Sequence, residues 1–314
     1  MTLPFSQLKS SQTDLLREPP RISSIMMRLR FDNSAMKLLK FLSRKGPLRI
    51  LKRLWISMVS ITPTLLIAVR WSFARTEDSN FYYPLDTRSE INMAHSLATI
   101  FGVSREHVLI YFSELMESSE FLEARRALRN EDFVMRNSSL EPGRRLAWYA
   151  VVRIMQPKVV LETGVHQGVG AFALCMALAK NYEETGVKGK YFGTDLRANA
   201  GALVKSSAYQ EYFHLLEGDS VGSIQRLEEE IDLYVSDSDH FEGYETKELL
   251  VTATKLSAKA VVISDNSHAT SVLSDWSDLE NRNFAFLEER PTNHWYRGAG
   301  VGLSYPKSFS PKGA

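Results

Sequence analysis

Two groups of polar side chains in the second half of the chain have the types and the placement that chemistry at a sheet edge requires. Each group follows a short apolar run: Asp237, Asp239 and His240 come after 231–235, and Asp265 and Asn266 come after 260–263. Such runs are typical of buried parallel strands, and open α/β sheets bind ligands at the carboxyl ends of their strands. Two carboxylates and an amide oxygen at that edge suit Mg²⁺, and they would also accept Mn²⁺ or Ca²⁺.

Histidines beside these carboxylates are candidate proton acceptors, because an imidazole titrates near neutral pH. His240 is the first candidate for such a base, and Asp239 would orient it or reach a metal through water. His268, two positions after Asn266, is either a second base, a substrate contact or a surface histidine. The alternative for residues 237–240 is a loop whose polar groups cap the following helix.

The elements that must position these residues begin at Pro142, after which predicted strands and helices alternate. Strands are expected at 158–162, 191–194, 213–217, 231–235, 260–263, 284–288 and 301–305. This alternation predicts an α/β fold with a Rossmann-like doubly wound sheet, mostly parallel. The two consecutive closing strands predict an antiparallel pair at one edge.

The loop after the first predicted strand is rich in glycine, and the next two strands end in acids. Gly164, Gly168 and Gly170 follow a G-x-x-x-G-x-G spacing, which is neither the dinucleotide motif nor a P-loop. Glycines there permit a tight turn and a close approach of the backbone to a ligand. Asp195 ends the second strand, where an acid can accept hydrogen bonds from the ribose hydroxyls of a nucleoside. Asp219 ends the third strand, where an acid could contact the adenine amine. Each acid has the alternative of capping a helix.

Together these residues resemble the class I S-adenosylmethionine (SAM)-dependent methyltransferases, over roughly residues 142–306. The likeness is strongest to metal-dependent O-methyltransferases of the catechol and caffeoyl-CoA type and to macrocin-type sugar O-methyltransferases. Residues 232–240 align without a gap to their fourth-strand motif, and the segment ending at Asp265 and Asn266 is similar to their fifth-strand motif. At position 240 the catechol type has Lys and the sugar type tends to have His, which favours a hydroxyl less acidic than that of a catechol.

The resemblance implies SAM and Mg²⁺ as cofactors and assigns their residues. The implied cofactor-binding residues are Glu162, Thr163, Gly164, His166, Gly168, Gly170, Asp195, Asp219, Ser220 and Asp237. The implied metal ligands are Asp237, Asp265 and Asn266. The expected reaction is O-methylation of a hydroxyl on a sugar, a glycolipid or a small polyhydroxy or phenolic molecule, with His240 as general base. The alternatives are a metal-independent methyltransferase and a non-catalytic module with a SAM-binding fold.

Charge divides the chain into a basic arm and an acidic body. Residues 1–75 hold 14 Lys and Arg against 3 Asp and Glu, although the whole chain carries a net charge of only +1. Such an arm suits an anionic surface, and the alternative is a solvated tail. The positive charge is confined to the arm, so a nucleic-acid partner is not expected. A single cysteine excludes an intramolecular disulfide.

The arm contains a basic amphipathic pattern at 36–53, followed by a 16-residue stretch without charge at 54–69. Trp55 and Trp71 stand at the ends of that stretch, and Pro63 interrupts it. A spanning helix needs ~20 apolar residues, so an interfacial or re-entrant membrane anchor is favoured. The alternatives are packing on the main domain, packing on a second subunit in a homodimer, and a true membrane span.

The predicted organisation has four parts. An N-terminal arm covers 1–80, a helical cap or linker 81–141, the methyltransferase domain 142–306 and a tail 307–314. The protein is expected in the cytoplasm, or at the inner face of a membrane through residues 36–75.

Overall fold

The computed structural model describes residues 47–74, 82–128 and 142–309. Predictions for 1–46, and the parts of the predicted cap and tail at 129–141 and 310–314, lie outside these residues. The first described element is helix α1, Pro47–Ser72, which continues through Pro63. The chain divides into two units, residues 1–64 and 65–314, with the boundary inside this helix.

Three helices precede the sheet: α2 (Thr87–Phe101), α3 (Arg105–Met116) and α4 (Ser119–Leu128). Asp86 caps α2 through the backbone N–H of Ser89, and Ser104 caps α3 through that of His107. Their apolar faces bury Leu97, Phe112 and Phe121, among others, in the same core as the sheet. The helices of the predicted cap therefore share a hydrophobic core with the sheet.

The remaining elements alternate as the sequence predicts. In chain order they are α5 (Arg145–Met155), β1 (Val159–Thr163), α6 (Val169–Thr185), β2 (Lys190–Asp195), α7 (Ala202–Lys205), β3 (Phe213–Glu217), α8 (Ser220–Arg226), β4 (Ile231–Ser236), α9 (Glu242–Ala253), β5 (Leu256–Ser264), α10 (Val272–Leu279), β6 (Asn283–Glu288) and β7 (Gly300–Tyr305). Short 3₁₀ turns lie at 210–212, 265–268 and 307–309.

The seven strands form one sheet in the order β3-β2-β1-β4-β5-β7-β6. The first five strands in that order are parallel, and β7 pairs antiparallel with both β5 and β6. The predicted doubly wound sheet with an antiparallel edge pair is therefore confirmed. The strand order reverses between β1 and β4, which is where a doubly wound sheet opens a crevice for ligands.

Alternating side chains of the parallel strands enter two separate cores, because successive residues of a strand point to opposite faces. Val160 and Leu233 pack in the core that includes α5 and α6, whereas Leu161 and Tyr234 pack in the core that includes α9 and α10. Both faces of the sheet are thus covered by helices, and the edge formed by the strand ends is left for a ligand.

Candidate functional site

A cavity of about 840 Å³ opens at the carboxyl edge of the parallel strands. This volume lies within the ~300–1,000 Å³ range of small-molecule sites. Its lining includes residues that follow four adjacent strands: Gly164 and His166 after β1, Asp195 at the end of β2, Asp219 and Ser220 after β3, and Asp237, Asp239 and His240 after β4. The sheet order therefore places the predicted nucleoside residues beside the predicted acceptor residues.

The turn after β1 requires glycine at position 164. Gly164 adopts φ +85°, and a Cβ there would lie 2.0 Å from the backbone oxygen of Asp237. The backbone N–H of Gly164 donates to the carbonyl of Thr194, and that of Asp237 donates to the carbonyl of Thr163, each at 3.0 Å. This turn thus joins the ends of β1, β2 and β4, and any side chain on it would push the Asp237 backbone away.

Glu162 and Thr163 lie beneath the cavity and do not line it. Glu162 is buried and accepts a hydrogen bond from the hydroxyl of Tyr191, while a Cβ at Gly170 would lie 2.5 Å from its Oε1. Burial raises the pKa of Glu162 to about 8, although Tyr191 and Arg145 act in the opposite direction. In this position Glu162 supports the turn from below. Gly168, which caps α6, is also buried.

Asp195 is held at the cavity by groups from two loops. Its Oδ2 accepts from the backbone N–H of His166 at 2.8 Å, and its Oδ1 accepts from the backbone N–H of Arg197 at 2.9 Å. The guanidinium of Arg197, itself exposed, adds an ion pair at 3.2 Å. Burial raises the pKa of Asp195, but the Arg197 side chain and these backbone donors outweigh it and lower the pKa below its ordinary value. Asp195 is therefore an ionised acceptor suited to hydroxyl donors.

Asp219 performs the capping role that the sequence left open and also lines the cavity. Its Oδ2 accepts from the backbone N–H of Gly222 at 2.8 Å, at the start of α8, and its Oδ1 accepts from the hydroxyl of Tyr244 at 2.7 Å. The backbone donor and then Tyr244 lower the pKa of Asp219. The neighbouring hydroxyl of Ser220 lies 2.8 Å from that of Tyr244.

A buried carboxylate on α9, which the sequence analysis missed, ties three strand ends together. Glu248 accepts hydrogen bonds from Ser220, from Ser238 at 2.7 Å and from Thr163 at 3.4 Å. These donors follow β3, follow β4 and end β1, respectively. Burial raises the pKa of Glu248, against these hydroxyl donors. From a single sequence, a buried glutamate on a helix cannot be distinguished from a glutamate that faces solvent.

The predicted metal ligands converge in part. Asp237, His240 and Asp265 each offer one ligand atom, and these atoms lie within 4.8 Å of one another. Burial, and then the charge of Asp265, raise the pKa of Asp237 well above its ordinary value, although Arg144 and Arg145 act in the opposite direction. Two carboxylates that repel each other in this way favour a shared cation or proton.

Asn266 connects this cluster to His240. Its amide nitrogen donates to the carbonyl of Asp239 at 3.1 Å, and its amide oxygen contacts Nδ1 of His240. The tautomer in which Nδ1 donates to that oxygen is the one that presents Nε2 as the acceptor nitrogen of the ring. His240 is exposed and lines the cavity.

Arg144, which the sequence analysis did not single out, places a buried positive charge at the same cluster. Its Nε lies 2.7 Å from Oδ1 of Asp265, and its Nη1 lies 3.7 Å from Glu289. Burial disfavours the charge of Arg144, but Asp265 and Glu289 outweigh burial and raise its pKa. The Nε–Oδ1 contact does not have hydrogen-bond geometry, and both carboxylate oxygens of Asp265 are buried without a hydrogen-bond donor. Asp265 therefore has acceptor capacity that Arg144 does not use.

Other cavity residues were also missed, and several predicted residues are not part of the lining, including the buried candidate metal ligands Asp265 and Asn266. Tyr82 and Arg145 line the cavity, and they lie far in sequence from the strand-end motifs. His268 is exposed, its Nδ1 contacts the carbonyl of Asp265 at 2.7 Å, and it does not line the cavity. Its predicted role as a second base remains a prediction.

Comparison with known proteins gives a family match for the central part of the sheet and its helices. Residues 161–267 match a family model described as a methyltransferase domain. This stretch runs from β1 to the turn after β5. It contains the glycine turn at 164–170 and the polar groups at 237–240 and 265–266. The predicted resemblance to methyltransferases is therefore confirmed over these residues. The comparison with curated proteins gives no match.

Several solved structures are similar to the chain. The O-methyltransferase TomG from Streptomyces achromogenes, solved with SAM, is 16% identical with a TM-score of 0.46, and the match covers 63% of this chain and 94% of TomG. The methyltransferase PaMTH1 from Podospora anserina, bound to SAH, is 16% identical with a TM-score of 0.46, over 64% and 94% of the two chains. An O-methyltransferase from Bacillus cereus in complex with SAH is 14% identical with a TM-score of 0.45, over 63% and 96%.

Proposed function

We propose that this protein, whose residues 161–267 match a methyltransferase domain, is a class I SAM-dependent methyltransferase that transfers the methyl group of SAM to a hydroxyl oxygen. One observation carries the proposal: a single cavity is lined by nucleoside-type acceptors after β2 and β3 and by an acid and a histidine after β4. The acceptor we propose is a sugar, a glycolipid or another small polyhydroxy or phenolic molecule.

The donor side of the cavity suits the nucleoside of SAM. Asp195 would accept hydrogen bonds from the ribose hydroxyls, which must then compete with the exposed side chain of Arg197. Asp219 and Ser220 would meet the adenine, and the turn at Gly164 would pass along the methionine part. Glu162 supports that turn from below, because it lies buried against Gly170.

On the acceptor side, His240 would act as general base. The acceptor oxygen attacks the methyl carbon in line with the sulfur, so the new O–C bond forms as the S–C bond breaks. The hydroxyl proton passes to Nε2 of His240, and the sulfur leaves as a neutral thioether. Asn266 would keep the ring oriented through Nδ1. Positioning supplies much of the rate in such a displacement.

The acidic cluster fits a divalent cation in its ligand chemistry. Asp237 and Asp265 offer carboxylate oxygens, Asn266 offers an amide oxygen, and the two oxygens of Asp265 have no hydrogen-bond donor. We therefore propose these three residues as the holders of Mg²⁺. When bound, Mg²⁺ would lower the pKa of the acceptor hydroxyl.

A metal-independent methyltransferase is the second candidate, and Arg144 is the observation that favours it. Its guanidinium already lies 2.7 Å from Asp265 and supplies a positive charge to the carboxylate pair. In this candidate, the positive charge of Arg144 would offset the negative charges of Asp237 and Asp265, as Mg²⁺ would in the first candidate. Both candidates share the SAM site and the role of His240.

The test is methyl transfer from isotopically labelled SAM to a panel of sugar, glycolipid and phenolic acceptors. We expect product with the wild type, at least ~100-fold less with His240→Ala, and wild-type activity with His214→Ala, an exposed histidine on β3 outside the cavity. Activity that survives EDTA selects the metal-independent candidate. Absence of SAM binding at millimolar ligand would contradict both and favour a non-catalytic module.

A further inference from the structure

Helix α1 presents apolar side chains to the surroundings on all sides. Leu54, Trp55 and Ile56 are consecutive, so they point about 100° apart around the axis, and each is more than half exposed. Leu65 and Leu66, further along, are 58% and 64% exposed. Within the described residues α1 is also the one helix long and apolar enough to cross a membrane, at Arg49–Ser72, and its apolar window is not buried against the protein. An amphipathic helix on a soluble protein would bury one face.

The distribution of charge along α1 matches a lipid bilayer. Arg49, Lys52 and Arg53 lie at one end, Arg70 lies at the other, and the segment 54–69 between them has no charge. At ~1.5 Å per residue the 16 uncharged residues measure ~24 Å and the 24 residues from Arg49 to Ser72 measure ~36 Å, so a ~30 Å hydrocarbon layer would also take in the first basic positions at the two ends. Basic side chains at both ends reach anionic headgroups, and tryptophan is enriched at that depth.

Two hydroxyl side chains of the charge-free segment donate hydrogen bonds to backbone carbonyls of the same helix. The hydroxyl of Ser57 donates to the carbonyl of Leu54 at 2.9 Å, and that of Thr62 donates to the carbonyl of Met58 at 2.6 Å. Such hydroxyls need no water, which removes the main cost of placing them in lipid. Pro63 is tolerated in membrane helices because neighbouring groups satisfy the backbone that it frees.

The C-terminal end of α1 makes aromatic contacts with other residues of the unit 65–314, called the catalytic unit below. The ring of Trp71 lies 5.5 Å from that of Trp295 and 6.0 Å from that of His294. His294 in turn packs against Tyr83 at 5.7 Å, and Tyr83 follows Tyr82, which lines the cavity. The end of the helix is therefore tied to the segment that borders the active-site cavity.

We propose that α1 inserts into an anionic lipid bilayer and that the aromatic contacts of Trp71 hold the catalytic unit at the membrane surface. The basic residues at the two ends of α1 would interact with anionic headgroups, and the uncharged segment 54–69 would bury its apolar surface in the lipid. Insertion, as opposed to adsorption through the basic arm, predicts that attachment withstands salt, because ~1 M salt screens surface charges within ~3 Å.

Flotation of the full chain with phosphatidylcholine–phosphatidylglycerol vesicles tests this proposal. The variant Ile61→Lys places a charge near the middle of α1 and is expected to lower vesicle partitioning by roughly 100-fold or more, from the cost of replacing an isoleucine by a lysine at a membrane centre. Ile110→Lys is the matched control, because Ile110 on α3 is 60% exposed and Ile61 is 56% exposed. It should partition like the wild type.

Binding of SAH by each variant, measured by calorimetry, shows whether the catalytic unit is still folded. The proposal is supported if the wild type and Ile110→Lys float in 1 M NaCl and Ile61→Lys does not, with equal SAH binding. It is overturned if the wild type stays in solution, if 1 M NaCl releases it, if Ile61→Lys floats as well as the control, or if the chain forms a lipid-free dimer that does not associate with vesicles.

Discussion

The turn at Gly164 offers the most direct perturbation of the donor side of the cavity. Replacement by alanine has two separate costs. The residue adopts φ +85°, which costs a non-glycine residue ~1–2 kcal/mol. The added Cβ would also lie 2.0 Å from the Asp237 carbonyl oxygen, well inside the closest approach of real Cβ atoms. The Asp237 backbone must therefore move by roughly 1 Å or more, which displaces a cavity residue.

Gly186 provides a matched control, because it has a similar φ of +72° and a Cβ added to it would meet no atom within 4 Å. Gly186→Ala should lose ~1–2 kcal/mol of unfolding free energy and keep its SAH affinity. Gly164→Ala should lose more stability and weaken SAH binding by at least ~100-fold, equivalent to ~2.7 kcal/mol. Chemical denaturation and calorimetry measure the two effects. Equal SAH affinity in both variants would refute the role assigned to the turn.

Substitutions of Glu162, Asp195 and Glu248, the last two paired with a comparison variant, test the groups in and beneath the cavity. Because burial raises the pKa of Glu162 to about 8, the folded protein keeps a proton that the unfolded chain releases above its ordinary value of 4.5. Stability should therefore fall by up to ~5 kcal/mol as pH rises between these values, and Glu162→Gln should remove that fall in denaturation curves. Asp195→Asn should weaken SAH binding ~10–100-fold by calorimetry, whereas Arg197→Ala should not weaken it, because the arginine competes with ribose. Glu248→Ala should lower both stability, by ~2–4 kcal/mol, and SAH affinity, whereas Glu245→Ala, whose partners Ser264 and Thr270 lie outside the cavity lining, should lower stability alone. An unchanged SAH affinity in Asp195→Asn or Glu248→Ala would contradict the placement of the nucleoside.

The course of the sheet was predictable because each parallel strand is a short apolar run that ends in a polar group. The ends at Asp195 and Glu217 were located correctly, and so was the antiparallel pair β6–β7. Strand β5 was expected at 260–263 but begins at Leu256. Its first four residues are half-buried or exposed, and its register with β4 shifts between Ile231 and Leu233, so no apolar run marks its start.

The cavity was predictable only where its residues follow strands. Glu248 was missed because a buried carboxylate on α9 has no periodic signature when its partners are hydroxyls from three distant loops. Arg144 was missed because its pairing with Asp265 joins residues that are far apart in sequence. Side-chain pairing of this kind depends on the tertiary fold, which a single sequence does not specify locally.

Helix α1 shows a different limit of sequence analysis. Its charge-free segment is shorter than a typical span, and Pro63 suggested an interruption. The helix nevertheless continues through Pro63 from Pro47 to Ser72, although its uncharged part is still the 16 residues 54–69. Whether any face of this helix is covered by the rest of the described protein could not be inferred from the sequence, because that information comes from the tertiary structure.

A crystal structure of the full chain with bound SAH tests the central claim most directly. The account predicts that the ribose hydroxyls contact Asp195 in place of Arg197, that the adenine lies beside Asp219, and that the sulfur faces the space between the Gly164 turn and His240. SAH bound outside this cavity, or with its sulfur directed away from His240, would contradict the account.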